Sequence, residues 1–149
     1  MITKMIAPLV SMLPATPVYA HCDVPCGIYD PKPAQIAAAT VLKMVQKLAA
    51  LTPPNPSSTP QDILNYQNDT TRMIWTKEEH ARKCKTELYI LWSDYFKPEH
   101  LEKFPDLHTK FWTAVKLCSE NKQHVSEESA QKLIAAVDEI AQMFVESKK

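Results

Sequence analysis

Apolar residues recur at helical spacing in four separate stretches of this chain. In the first, Ala34, Ala37, Val41, Met44, Val45 and Leu48 share one face, opposite Gln35, Lys43, Gln46 and Lys47. Asp30-Pro31-Lys32-Pro33 leads into it as an extended turn, with Pro33 suited to the first helical position. Thr52-Pro53-Pro54-Asn55-Pro56-Ser57-Ser58 stops it with a stiff connection. The second stretch opens on a capping box, Thr59 with Asp62, and its stripe is long: Ile63, Tyr66, Thr70, Met73, Ile74, Ala81, Cys84, Leu88, Leu91, Trp92 and Tyr95. Such a helix would reach roughly 55 Å at ~1.5 Å per residue, so it must bend or overhang its neighbours. Lys97-Pro98 ends it. In the third, Leu101, Phe104, His108, Phe111, Val115 and Cys118 alternate in steps of three and four, and Pro105 marks where the helix begins. Ser126 caps the fourth, with Ala130, Leu133, Val137, Ile140 and Phe144 on one face. No stretch sustains strand alternation. The pattern predicts an all-α protein, an up-down-up-down four-helix bundle.

Composition sharpens this mainly by exclusion. The chain has 149 residues, 45% of them hydrophobic, enough for one domain with a real core. Lys plus Arg equals Asp plus Glu at 17 each, so no global charge favours nucleic acid or an anionic membrane as partner. One glycine against 12 prolines rules out glycine-rich phosphate loops. His108 lacks a second ligand at i+3 or i+4 and is expected as a hydrogen-bonded core or interface residue. His80 lacks a glutamate three residues earlier, which argues against a di-iron bundle site. Lys77, Glu78, Glu79, Arg82 and Lys83 read as solvated helix faces.

The stretch before the first helix carries the chemistry. Residues 1–20 look like a cleaved leader: Lys4, a short apolar run from Ile6 to Leu13, then Val18-Tyr19-Ala20 with small residues where a peptidase inspects them. The run is broken by Pro8 and Pro14 and is too short to span a bilayer. Residues 21–149 would then be the mature unit, an irregular hook over 21–31 followed by the bundle. The hook, His21-Cys22-Asp23-Val24-Pro25-Cys26-Gly27-Ile28-Tyr29-Asp30-Pro31, places two thiols and an imidazole within six residues.

A cut after Ala20 would give His21 a free α-amine beside its own imidazole. That amine, the next amide nitrogen and the Cys22 thiolate form fused chelate rings, and the Cys26 thiolate completes a plane of two nitrogens and two sulfurs. The His21 ring remains for an axial position. Square-planar N/S donation favours Ni(II) or Cu(II), whereas zinc would ask for a tetrahedral set. On spacing alone, a small Cys22–Cys26 disulfide loop accounts for the pair equally well. The cut site beside His21 tilts the balance towards metal. Pro25 and Gly27 suit a tight turn, Gly27 by permitting positive φ. Cys84 and Cys118 fall on helical stripes and read as small buried apolar residues.

The hook after its short leader resembles that of the nickel-dependent superoxide dismutases. Leu91-Trp92-Ser93-Asp94-Tyr95-Phe96-Lys97-Pro98, followed by His100, Glu102-Lys103, Pro105 and Leu107-His108, resembles that family's second signature. The resemblance implies a homohexamer of four-helix bundles with one nickel ion per subunit. It implies disproportionation of superoxide to dioxygen and hydrogen peroxide by Ni(II)/Ni(III) cycling. His21, Cys22 and Cys26 would be the metal ligands, Tyr29 and Tyr95 would line the access face, and Asp23 would order the hook. The Val24–Pro25 bond would be cis. Lys97 offers a local positive charge for an anionic substrate, with a solvated surface lysine as the ordinary alternative.

Two positions depart from the pattern. Where family members orient the ligand histidine with a glutamate from helix one and an arginine from helix two, this chain has Ala37 and His80, so the outer partners of His21 differ. Other functions also fit the residues: a non-catalytic N-terminal nickel- or copper-binding protein, or an exported, disulfide-closed helical binding protein. The resemblance implies a cytoplasmic protein matured by a dedicated leader peptidase, and the Val-x-Ala ending leaves export open.

Overall fold

A computed structural model of the chain describes residues 27–149. Four α-helices account for most of them: α1 Lys32–Ala49, α2 Pro60–Ile90, α3 Leu107–Gln123 and α4 Glu127–Glu146. No strand occurs among the described residues. Each helix packs on its neighbours in sequence, and α1 closes the ring against α4, the order an up-down-up-down bundle requires. The buried faces follow the apolar stripes. Ala34, Ala37, Val41 and Val45 come from α1, and Ala130, Leu133, Val137, Ile140 and Phe144 from α4.

The ends of the helices follow local chemistry. Pro31 caps α1, with Pro33 in its first turn, one position later than the sequence pattern places it. Thr59 accepts from the Asp62 N–H while Asp62 accepts from the Thr59 N–H, the reciprocal box expected of these residues. Ser126 accepts from the Ser129 N–H at the start of α4, a cap of the kind that contributes about 1 kcal/mol.

Helix α2 behaves as two halves. From Ala81 onward its stripe is buried through Ala81, Cys84 and Leu88. Before that it overhangs, leaving Ile63, Leu64, Ile74 and Trp75 exposed. At the junction stands Lys77, which is 2% exposed and is therefore not the solvated lysine its sequence neighbourhood suggests. Its ammonium donates to the carbonyls of Asn121, Lys122 and His124, the last carbonyls of α3 and the residue beyond. A cation there answers both the unpaired carbonyls and the negative end of the helix dipole. Asn121 in turn donates to the carbonyl and hydroxyl of Ser129, which ties α3 to α4.

The α2–α3 connection is the part that matters for function. Where α2 ends, Leu91–Tyr95 forms a single π-helical turn, closed by the Phe96 N–H on the Leu91 carbonyl at 3.0 Å. Pro98 withholds the next donor and keeps Lys97 extended. A short 3-10 turn, Pro98–Leu101, then leads to α3, whose start at Leu107 lies just past Pro105 as expected.

Candidate metal centre

The described chain enters this region at Gly27, whose φ of +71° lies in the left-handed conformation that glycine alone adopts readily. Among the described residues a side chain there would meet nothing within 4 Å, so it is the backbone conformation that calls for glycine. Two residues on, Tyr29 turns inward while Ile28 faces out at 82% exposure. The Tyr29 ring lies on the Tyr95 ring with centroids 5.5 Å apart. Tyr29 and Tyr95, both expected from the sequence to line an access face, are thus in direct contact where the N-terminal segment meets the end of α2.

Tyr95 is held on every side. Phe144 of α4 lies 4.4 Å from its ring centroid, Phe96 meets it edge-on at 5.0 Å, and the His100 imidazole stacks on it at 5.8 Å and 12°. His100 is itself oriented by accepting the Lys97 backbone N–H at Nδ1 over 2.9 Å. The π turn gives this arrangement its register, because its wider turn sends Phe96 into the core while Tyr95 reaches α4. The Tyr95 hydroxyl meets the Ser147 hydroxyl at 2.7 Å. Ser147 and the π turn carry no signal in the hydrophobic pattern, since the stripe of α2 runs on through Tyr95 as if the helix were regular.

Two clefts flank the Tyr29 segment. One, about 340 Å³, runs over Ile28, Pro33, Glu87, Ile90 and Leu91. The other is a more open groove of about 740 Å³ whose walls include Lys32, Gln35, Asp138, Phe144 and Lys148. Lys97 is exposed and lines a separate cavity of about 110 Å³ beside Trp92 and His108. His108 is exposed too, not part of the core, but it is hydrogen-bonded: the Trp92 indole donates to its Nδ1 over 2.8 Å. Trp92 lies flat on Phe111, 5.6 Å away.

The proposed ligands His21, Cys22 and Cys26, together with Asp23 and the Val24–Pro25 bond, lie outside the described residues. Among the described residues no three His, Cys, Asp or Glu side chains cluster as a metal site would. Tyr29 follows Cys26 by three residues, so covalent geometry keeps their Cα atoms within ~11 Å. An amine freed at His21, the Cys22 amide and the two thiolates would make an anionic N/S set of the kind that suits square-planar Ni(II).

Of the two departures from the family pattern, Ala37 is 3% exposed in the core. His80 is half-buried, and its Nδ1 donates to the Thr76 carbonyl over 2.9 Å, since a carbonyl can only accept. That leaves Nε2 of a neutral ring as an acceptor. Cys84 and Cys118 are fully buried, facing each other between α2 and α3. Their mutual hydrogen bond, and then burial, push the Cys84 thiol far above its ordinary pKa.

Comparison with known proteins places this geometry. Residues 16–148 match the family model of nickel-containing superoxide dismutase. The nickel superoxide dismutase of Streptomyces seoulensis is 38% identical over 149 residues, covering 100% of this chain and 99% of that protein. That of Streptomyces coelicolor is 36% identical over the same length, with the same coverage. Among solved structures, a native nickel superoxide dismutase at 1.30 Å superposes with a TM-score of 0.73 at 36% identity, covering 87% of this chain and all of that one. A nickel superoxide dismutase with oxidised-state ligation gives 0.72 at 39% identity, covering 86% and 98%. The chain belongs to the nickel-containing superoxide dismutase family.

Proposed function

We propose that this chain disproportionates superoxide to dioxygen and hydrogen peroxide, using one nickel ion bound by residues 21–26. The observation that carries this is a family match over residues 16–148, a span that includes His21, Cys22 and Cys26, the residues whose types and spacing suit nickel. The His21 amine and imidazole, the Cys22 amide nitrogen and thiolate, and the Cys26 thiolate would hold the ion. Bound there, nickel supplies one-electron chemistry at a potential that anionic sulfur and amide donors bring within reach of superoxide.

The protein's own groups do the rest. Asp23 orders the hook. Tyr29, in contact with Tyr95, would wall the approach to the ion. Lys97 adds local positive charge. With Ala37 and His80 at the two positions, the carboxylate and guanidinium that orient the ligand histidine in family members are missing from those places. His80, with Nδ1 on the Thr76 carbonyl, would turn its Nε2 to the His21 ring instead.

Maturation follows from the donor set. Residues 1–20 would be a leader whose removal by a peptidase creates the His21 amine, and residues 21–149 would be the working protein. The exposed apolar residues on the overhanging half of α2 support assembly with further copies, which we take to be the homohexamer. No helix among the described residues is long and apolar enough to cross a membrane. A cytoplasmic location would keep the hook thiols reduced until metal arrives.

Intact mass and metal content of protein from its native host test this together. The expected result is a chain beginning at His21 with one nickel and dismutase activity. Retained leader, or a Cys22–Cys26 disulfide without metal, would favour an exported binding protein. Bound metal without dismutation would favour a metal carrier. Blocking cleavage with Ala20→Pro, verified by mass, is expected to abolish activity; an active uncleaved protein would refute the maturation scheme.

A further inference from the structure

The hydroxyl group of Tyr95 has a direction, and it can be read from its neighbours. Ser147 Oγ lies 2.8 Å from the Phe144 carbonyl and 2.7 Å from the Tyr95 hydroxyl. A carbonyl oxygen has no proton, so the single Ser147 proton goes to Phe144. Ser147 therefore accepts from Tyr95, and the phenolic proton points along the sequence Tyr95 O–H to Ser147 O–H to Phe144 C=O. We infer that Ser147 is a positioning residue for the superoxide reaction, fixing Tyr95 with its proton turned towards the end of α4 and only its acceptor lone pairs left for the Tyr29 side. The inference rests on the functional reading given above.

The surroundings make Ser147 a fixed point and not a passing contact. It lies at the C-terminal cap of α4, where its own N–H bonds the Met143 carbonyl at 2.9 Å. Lys103, from the connection before α3, donates to the Glu146 carbonyl at 2.7 Å and holds that last turn against the region after the π turn. Lys148 sits over the Phe144 ring, 4.1 Å from its centroid. The Tyr95 ring has no freedom to compensate, being packed among Tyr29, Phe96, His100 and Phe144. Only the torsion of its hydroxyl remains, and Ser147 sets it.

The consequence is chemical. A phenol whose proton is already donated to Ser147 has only lone pairs to offer a group that reaches it from the Tyr29 side. It therefore favours a neighbour that brings a proton over a bare anion resting against it. Peroxide formation needs protons delivered near the hook, and an acceptor fixed there would orient the water or hydroxyl that carries them. Without Ser147, the Tyr95 proton would rotate freely and either face could be offered.

The test combines Ser147→Ala, Ser147→Thr, Tyr95→Phe and the Ser147→Ala/Tyr95→Phe double variant. Resonance Raman on the tyrosine doublet, with the Tyr95 part isolated by subtracting the Tyr95→Phe spectrum, distinguishes a donating phenol from an accepting one. It is recorded on both apo- and nickel-loaded protein. The expected result is loss of the donor signature in Ser147→Ala and its return in Ser147→Thr. In nickel-loaded protein, kcat/KM should fall roughly three- to tenfold in Ser147→Ala, as for loss of one oriented hydrogen bond, and recover in Ser147→Thr. In the Tyr95→Phe background, removing Ser147 should change kcat/KM less than about twofold. An unchanged Raman doublet, a Raman change with unaltered kcat/KM, or an equal loss in the Tyr95→Phe background would each overturn the inference. Wild-type protein that binds nickel without dismutation would instead sink the functional reading, and the apo-protein spectra would still decide the direction of the Tyr95 proton.

Discussion

The chain carries two pairs of cysteines that could hardly differ more in circumstance. Cys22 and Cys26 are four residues apart in a stretch without helical periodicity, among prolines and an aspartate, directly after the expected cut site. Cys84 and Cys118 come from different helices and meet with no exposure to solvent. A thiol coordinates metal or attacks an electrophile as its thiolate. The Cys84 thiol is kept from ionising by its hydrogen bond with Cys118, then by burial, with the Glu87 carboxylate adding to the effect. Four cysteines, counted, suggest two disulfides; the structure buries Cys84 and Cys118 as a pair that fills space, and the sequence context sets Cys22 and Cys26 apart from them. The environment, and not the residue, assigns the role.

Thiol reactivity should show the widest gap between them. In folded, reduced apo-protein, Cys22 and Cys26 are expected to react with an alkylating reagent at least roughly 10³-fold faster than Cys84 and Cys118, whose access requires the α2–α3 contact to open. Peptide mapping over a time course measures this, and comparable rates for all four would end the distinction. Metal binding gives the next largest contrast. Losing an outer partner of a metal ligand already costs about 10- to 100-fold, so replacing a ligand itself, Cys22→Ser or Cys26→Ser, should cost more than roughly 100-fold in activity along with the bound nickel. Cys118→Ala should retain nickel and turnover per bound ion. Metal analysis paired with a dismutase assay separates the two cases. Stability moves the other way. Cys84→Ser puts a hydroxyl where a thiol sits among apolar neighbours, which should cost about 2 kcal/mol in denaturant unfolding while activity per nickel stays the same.

How far the sequence alone reaches differs between scaffold and site. The stripes of α1 and α4, the Thr59–Asp62 box and the Ser126 cap were all legible, because each is a local pattern with a local cause. The overhang of α2 could be foreseen from its length, though not which residues it would leave exposed. Lys77 was not legible: it stands in a run of charges and is buried only because α3 happens to end there with three carbonyls to satisfy. In the candidate site, donor types and spacing are visible in residues 21–26. The seating of Tyr29 on Tyr95 needs two distant segments brought together, which no periodicity encodes. Ser147 is hidden more deeply, as a serine in a polar tail whose importance lies in the direction of one proton.

The smallest effect probes the core pair through pH. Because the Cys84 thiol is held protonated in the folded protein, folded and unfolded chains part company once pH passes the ordinary thiol range, near 8.5. Above that point the unfolded chain has lost this proton and the folded chain still holds it, so the unfolded state binds fewer protons and stability must fall as pH rises. Below it both states are protonated and the contribution is fully present. One such group gives a slope of about 1.4 kcal/mol per pH unit, so the loss between pH 8.5 and 9.5 should approach 1 kcal/mol, before lysines begin to titrate. Cys84→Ala removes the group from both states. Its stability, lower at neutral pH, should therefore decline less steeply than that of the parent over this interval, and the two curves should converge. Parallel curves in chemical denaturation from pH 7 to 9.5 would mean that the core thiol ionises as easily folded as unfolded, and the contrast with Cys22 and Cys26 would then have to rest on access alone.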